Sequence, residues 1–191
     1  MIIQKPTSNF TKGRPYAPSL IVIHVMDGTL VGTDSWFQTG SKAAGKPVSA
    51  HYGVGMMGEV HQYVQETDIA WHAGNVDRPS FKLYKPGVNP NDYTIGIEHE
   101  GKADSQWSVQ MMSESAKLIA DIAKRWNIPL DRDHVIGHYQ VFAGKPNCPA
   151  VDKGVIDKLI TLARTVVPVS PTKLEEAIAS AQHTLDLLKS L

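Results

Sequence analysis

The segment HYQVFAGKPNCPA, residues 138–150, holds the only cysteine of the chain, Cys148, ten positions after His138 and directly before Pro149. Imidazole and thiolate are the donors zinc prefers, and a catalytic zinc keeps one position open beside three protein ligands. His24, inside the apolar run SLIVIHVM, would supply the third. A single cysteine excludes an internal disulfide framework but leaves three readings open: buried filler, reactive thiol or metal ligand. Spacing alone does not separate them, because a lone histidine in a strand is more often a hydrogen-bonded core residue and a lone cysteine a small buried apolar one. Two rival chemistries are weaker. His134 and His138 are four apart, as in the helical zinc pair of metalloproteases, but Val135, Ile136 and Gly137 disfavour a helix and the second position is not glutamate. A Cys148 nucleophile is opposed by Pro149, since nucleophilic cysteines often open helices whose backbone donors lower the thiol pKa.

A general base is the other requirement of a hydrolytic site. In YTIGIEHEG, residues 93–101, strand alternation puts Ile95, Ile97 and His99 on one face and Gly96, Glu98 and Glu100 on the other. A carboxylate beside an activated water can accept its proton and pass it to a leaving nitrogen. Alternation leaves two carboxylates, Glu98 and Glu100, on that side; the bland reading of Glu100 is a solvated or salt-bridged strand end.

The elements that must position these groups are legible in outline. Residues 19–26 form a short β-branched run, which predicts a central strand covered on both faces. Thr33 to about Gly40 reads as a short helix capped by Thr33 or Asp34. Residues 48–64 read as two strands joined at Met57-Gly58-Glu59, followed by a Gly-, Pro- and Asn-rich loop from Asp68 to Tyr93 that contains AWHAG. Met112, Ala116, Ile119, Ala123 and Trp126 recur at three or four, predicting a helix from about Gln106 to Asn127, stopping before Pro129. A last core helix is expected from Asp152 to Val166. Beyond it, Thr172 and Glu175 make a capping box, and Leu174, Ile178, Ala181, Leu185 and Leu188 form a seam on a separate amphipathic helix. The expected division is therefore a catalytic domain over 1–167 and a linker with a C-terminal helix over 168–191. That helix either packs back on the domain or forms a homo-oligomer or wall contact.

Composition narrows the class. The 191 residues suit one sizeable core, and 42% hydrophobic with 20% charged is ordinary for a globular domain. Nineteen basic residues balance nineteen acidic ones, so no global field draws nucleic acid or anionic lipid. No run of about 18 apolar residues is long enough to span a membrane. The N-terminus, broken by Pro6, Pro15 and Pro18, lacks a secretory core, so the expectation is a product made in the cytoplasm.

Six ordered blocks, IVIH, VSAHYGV, VHQYV, AWHAG, NDYTIGIEHEG and VIGHYQVFAGKPNCP, resemble the zinc-dependent N-acetylmuramoyl-L-alanine amidases over roughly residues 19–165. This family includes amidase-type phage lysozymes, cytoplasmic recycling amidases and, as relatives, peptidoglycan recognition proteins. The resemblance implies an α/β fold of α+β type: a central mixed β-sheet flanked by helices, with one zinc in a groove above the sheet. It puts the zinc on His24, His138 and Cys148, the general base on Glu98, and Trp71, His72 and His51 at or near the substrate groove. The bond cut would be the amide between N-acetylmuramic acid and L-alanine in peptidoglycan.

One position departs from the pattern. Related enzymes usually carry a lysine two residues before the third ligand, where its ammonium stabilises an oxyanion. Here that position is Pro146 and the lysine is Lys145, which is assigned the role across a one-residue shift. His99 is expected to be structural, and no function is assigned to His61, His134 and His183. Among biological settings a phage endolysin, released through a holin to act on the cell wall, is favoured over a recycling amidase, which usually has an aspartate third ligand. A non-catalytic peptidoglycan-binding module would lack one or more of the zinc ligands that are all present here.

Overall fold

The runs at residues 20–25 and 94–99 become the two central strands of a sheet whose faces are both covered, which is why neither shows a clean polar alternation. The computed structural model describes residues 1–166. Its strands are β1 (Ile2–Gln4), β2 (Phe10–Thr11), β3 (Leu20–Val25), β4 (Tyr52–Val54), β5 (Val60–Gln62), β6 (Ile69–Ala70), β7 (Thr94–His99) and β8 (Val135–Gly137). The main sheet has the order β1, β5, β4, β7, β3, β8, and β2 pairs with β6 apart from it. The β4–β5 hairpin is antiparallel and the other neighbours run parallel, so the sheet is mixed, as expected. The hairpin turns where the sequence put it, with Gly58 at φ 90, a conformation that a side chain would strain.

The helices are α1 (Leu30–Ser35), α2 (Ser41–Ala43), α3 (Val109–Trp126) and α4 (Gly154–Thr165). The Ser108 hydroxyl accepts the Met111 N–H to cap α3, and Asn127, left-handed at φ 54, ends it. Helices α3 and α4 cover one face of the sheet, where Ile21, Ile23, Ile95 and Ile97 pack with Met111, Ile119, Ile122, Ile156 and Leu159. On the other face Leu20 and Val22 pack with Phe81, Tyr93, Ile136 and Val141, so part of the long loop closes a second core. Burying roughly 1.5–3 kcal/mol of apolar side chain at each such position is what holds the strands in register.

Two helix starts and one apolar stripe differ from the sequence reading. The first helix starts at Leu30, not Thr33, because the Thr29 hydroxyl accepts the Gly32 N–H and Glu100 Oε1 accepts the Leu30 N–H at 3.1 Å. Thr33 and Asp34 are therefore buried inside it, and the helix runs on through a π turn at Trp36–Gly40 into α2. The stripe of α3 is rotated: Met111, Leu118 and Ile122 are buried, while Met112 and Trp126 pack only at its edge. Helix α4 begins at Gly154 because Asp152 Oδ1, outside the helix, accepts the Gly154 N–H at 2.9 Å. The linker and amphipathic helix expected over 168–191 lie outside the described residues. No described helix is long and apolar enough to cross a membrane.

Candidate active site

Parallel pairing brings the candidate residues to one edge of the sheet. In the register of β3 with β7, His24 lies beside Glu98, and in that of β3 with β8, Ile23 lies beside Gly137, which precedes His138. The three side chains thus emerge at the carboxyl ends of neighbouring parallel strands, where open α/β sheets place their ligands. Cys148 reaches them from the loop before α4. Donor atoms of His24, His138 and Cys148 all lie within 4.8 Å of one another, and the two imidazole centroids are 4.5 Å apart. The Val25 N–H donates to the Cys148 sulfur at 3.4 Å.

The loop carrying Cys148 is held from several sides. Lys145 and Cys148 close one tight turn, the Cys148 N–H donating to the Lys145 carbonyl at 3.1 Å. The Tyr139 N–H donates to the Cys148 carbonyl at 3.0 Å. The Lys153 ammonium donates to the carbonyls of Pro146 and Ala150, on either side of Cys148, and lies 4.6 Å from the Tyr139 ring centroid. Nothing in the sequence pattern marked Lys153; only its position at the start of α4 shows what it does.

The electrostatics suit a cation. Burial, followed by the charge of neighbouring histidines, holds His24 well below the ordinary imidazole range. Burial and then the Lys145 charge lower His138 to about 4. Both rings are therefore neutral near pH 7, the form in which histidine binds metal. Burial, then the Glu98 carboxylate, push the Cys148 thiol up to about 12. A thiol so placed is no nucleophile at neutral pH, which removes the cysteine-protease reading; a thiolate there needs a bound cation. Two imidazoles and a thiol with a face open to a cleft are a donor set that fits zinc.

Glu98 lies beside this cluster. Its Oε2 is out of contact with solvent and has no hydrogen-bond partner. Burial raises the carboxyl to about 7, opposed by the Lys145 charge. Glu100, two residues on, is different in kind: its two oxygens accept the Leu30 and Met56 N–H groups at 3.1 and 2.7 Å. It is a brace between strand, helix and hairpin rather than the solvated end that alternation suggested.

A cleft of about 430 Å³ opens over the cluster, and His24, His138, Cys148, Glu98, Lys145, Trp71 and His72 all line it. Trp36, Phe37 and Asp27 also form its wall, none of them singled out by motif. Lys145 does face the site despite its displaced position, because the tight turn that it shares with Cys148 brings both ends together. His51 does not line the cleft. It is buried behind His72, with ring centroids 5.6 Å apart, and its Nδ1 accepts the Gly96 N–H at 3.0 Å. Its Nε2 lies 2.9 Å from the Arg14 guanidinium and 3.3 Å from the Asp68 carbonyl, so both ring nitrogens are engaged inside the protein and away from the cleft. His99 is structural, as expected, bridging the His24 carbonyl and the Ser115 hydroxyl.

A family profile described as N-acetylmuramoyl-L-alanine amidase matches residues 13–151. N-acetylmuramoyl-L-alanine amidase A of Achromobacter lyticus is 38% identical over 110 residues, covering 56% of this chain and 52% of that protein. The chain spans about half, or less, of the length of the curated relatives it matches. Among solved structures, a selenomethionine AmpD derivative superposes with a TM-score of 0.66 at 24% identity, covering 83% of this chain and 93% of that one. The amidase LysC from Clostridium intestinale superposes with a TM-score of 0.61 at 18% identity, covering 85% and 97%. At these identities the superpositions establish the fold.

Proposed function

This chain belongs to the N-acetylmuramoyl-L-alanine amidase family, and from that premise we propose that it hydrolyses the amide between N-acetylmuramic acid and L-alanine in peptidoglycan, using one zinc ion. The observation that carries the reading is the meeting of His24, His138 and Cys148 donors within 4.8 Å, beside a Glu98 oxygen that nothing else uses. The chemistry zinc supplies in such a site is Lewis acidity, which activates water and polarises an amide carbonyl. His24, His138 and Cys148 would hold the ion. Glu98 takes the proton of the attacking water and delivers it to the departing L-alanine nitrogen, a role suited by a carboxyl poised near 7. Lys145 presents the positive charge that balances the oxyanion. Trp71 and Trp36 give the cleft flat apolar walls on which a sugar ring can stack.

An endolysin acting on the cell wall is the setting we favour over recycling of soluble muropeptides, because the third donor is cysteine and recycling enzymes usually have aspartate. The complete set of donors and base disfavours a module that only binds. Residues 168–191 are proposed as a separate segment for self-association or wall contact. Deleting 170–191 then changes sedimentation or wall binding while sparing hydrolysis of soluble muropeptides; no change in either property removes that role.

The deciding experiment is digestion of purified walls with a count of new chain ends. New L-alanine amino termini without new reducing ends are expected, lost on chelation and restored by zinc. Reducing ends in their place would mean a glycosidase, and equal clearing after the metal is stripped would end the zinc mechanism.

A further inference from the structure

His72 touches the ligand set without belonging to it. Its Nδ1 lies 3.0 Å from His24 Nε2, and its Nε2 lies 3.2 Å from the Thr94 hydroxyl. The contact is built in from three directions. Gly96, in the middle of β7, has no side chain, and a Cβ there would meet the His72 ring at 2.5 Å, so the imidazole lies directly on bare strand. Asn91 Oδ1 accepts the N–H groups of His72 and Ala73 at 3.1 and 2.7 Å, fixing the backbone that carries the ring. Behind it, His51 holds the Gly96 N–H, so the strand under the ring is itself tied down.

A neutral imidazole has one N–H and one lone pair. If His72 donated to His24 Nε2, the His24 proton would be on Nδ1 and its lone pair would be spent on His72, leaving nothing for a metal. Only the opposite arrangement leaves His24 a donor atom. We propose that His72 is a positioning residue: it accepts the Nε2–H of His24 and donates its own Nε2–H to Thr94, which fixes His24 in the tautomer that ligates through Nδ1. An outer partner of this kind orients the ligand ring and raises its basicity, and its loss typically weakens metal binding by about 10- to 100-fold. Thr94 is fully buried, and its hydroxyl, which can accept as well as donate, is placed to take the His72 Nε2–H.

The inference rests on the zinc centre proposed above, and the test keeps the two apart. Zinc affinity of the full chain is measured by competition with a chromophoric chelator for the parent, His72→Ala, His72→Asn and Cys148→Ser. His72→Ala is expected to bind zinc about 10- to 100-fold more weakly. His72→Asn, whose amide oxygen can accept at the Nδ1 position, is expected to recover most of that loss. Nitrogen-15 spectra of the zinc-loaded parent should show the His24 proton on Nε2. Parent-like affinity in His72→Ala, no rescue by asparagine, or a His24 proton on Nδ1 each overturns the role. If Cys148→Ser loses zinc while His72→Ala does not, the His72 proposal alone fails; if Cys148→Ser binds zinc normally, the metal centre fails and the proposal with it. Should His72→Ala not fold, the nearly isosteric Thr94→Val decides: weaker zinc binding supports the relay, and unchanged affinity overturns it.

Discussion

Neighbouring residues of β7 face two different chemical environments. Under α3, His99 is fully buried with both ring nitrogens engaged, one on the His24 carbonyl at 3.0 Å and one on the Ser115 hydroxyl at 2.7 Å. Over the cleft, Glu98 keeps an oxygen that neither protein nor solvent touches. One face is closed polar bookkeeping inside an apolar layer; the other leaves a charge-bearing group unsatisfied at a cost of about 1–3 kcal/mol. The difference separates a polar group spent on the fold from one left free for the proposed chemistry, and it recurs between Glu98 and Glu100, which alternate on to the same side but differ in their partners.

The comparison can be broken at several points. Glu98→Ala should lower turnover by about two to four orders of magnitude while zinc content stays normal and thermal stability is unchanged or higher; near-normal rates would reassign the base. Lys145→Ala should cost about 10- to 100-fold in rate, less than a rigid oxyanion donor because the side chain is exposed. Steady-state rates on soluble muropeptide would show it, and an unchanged rate would leave the charge to the metal. Glu100→Ala should show the reverse of Glu98: about 2 kcal/mol lost in urea unfolding, from two orphaned backbone donors, with metal binding kept.

The smallest effect concerns His51. Burial and then the Arg14 charge hold it at about 3, whereas the unfolded chain takes up that proton near 6.5. Below pH 6.5 the unfolded state therefore binds the extra proton, and stability falls as pH falls, by about 1.4 kcal/mol per unit for this residue down to about 3. His51→Gln should flatten the pH dependence of the unfolding free energy between pH 6 and 5 by that amount. An unchanged slope would mean that His51 is not held neutral by the fold.

Much of the site could be read before the fold. Strand alternation alone separated Glu98 from Ile95, Ile97 and His99, and a β-branched run placed His24 in a central strand. The family blocks then joined His24 to His138 and Cys148, donors that lie 114 and 10 positions apart and that no local pattern connects. What stayed hidden depended on parallel pairing and loop closure. His72 meets His24 only because β7 has a glycine beneath the ring, and alternation cannot say which loop covers a bare position. Glu100 looked like a strand end because the backbone donors it serves, Leu30 and Met56, come from segments distant in sequence. The start of α1 was missed for the same reason: Thr29 and Glu100 set it together, and only one of them is local.

The Lys153 ammonium, tied to the carbonyls of Pro146 and Ala150, makes the stretch from Lys145 to Ala150 a cassette hinged on the first residue before α4. The clamp grips the backbone on both sides of Cys148, so the loop that presents the thiol is anchored to the start of α4. Lys145 sits just outside that clamp, in the turn it shares with Cys148. Neutralising Lys153, which does not line the cleft, would loosen the backbone that presents the Cys148 thiol.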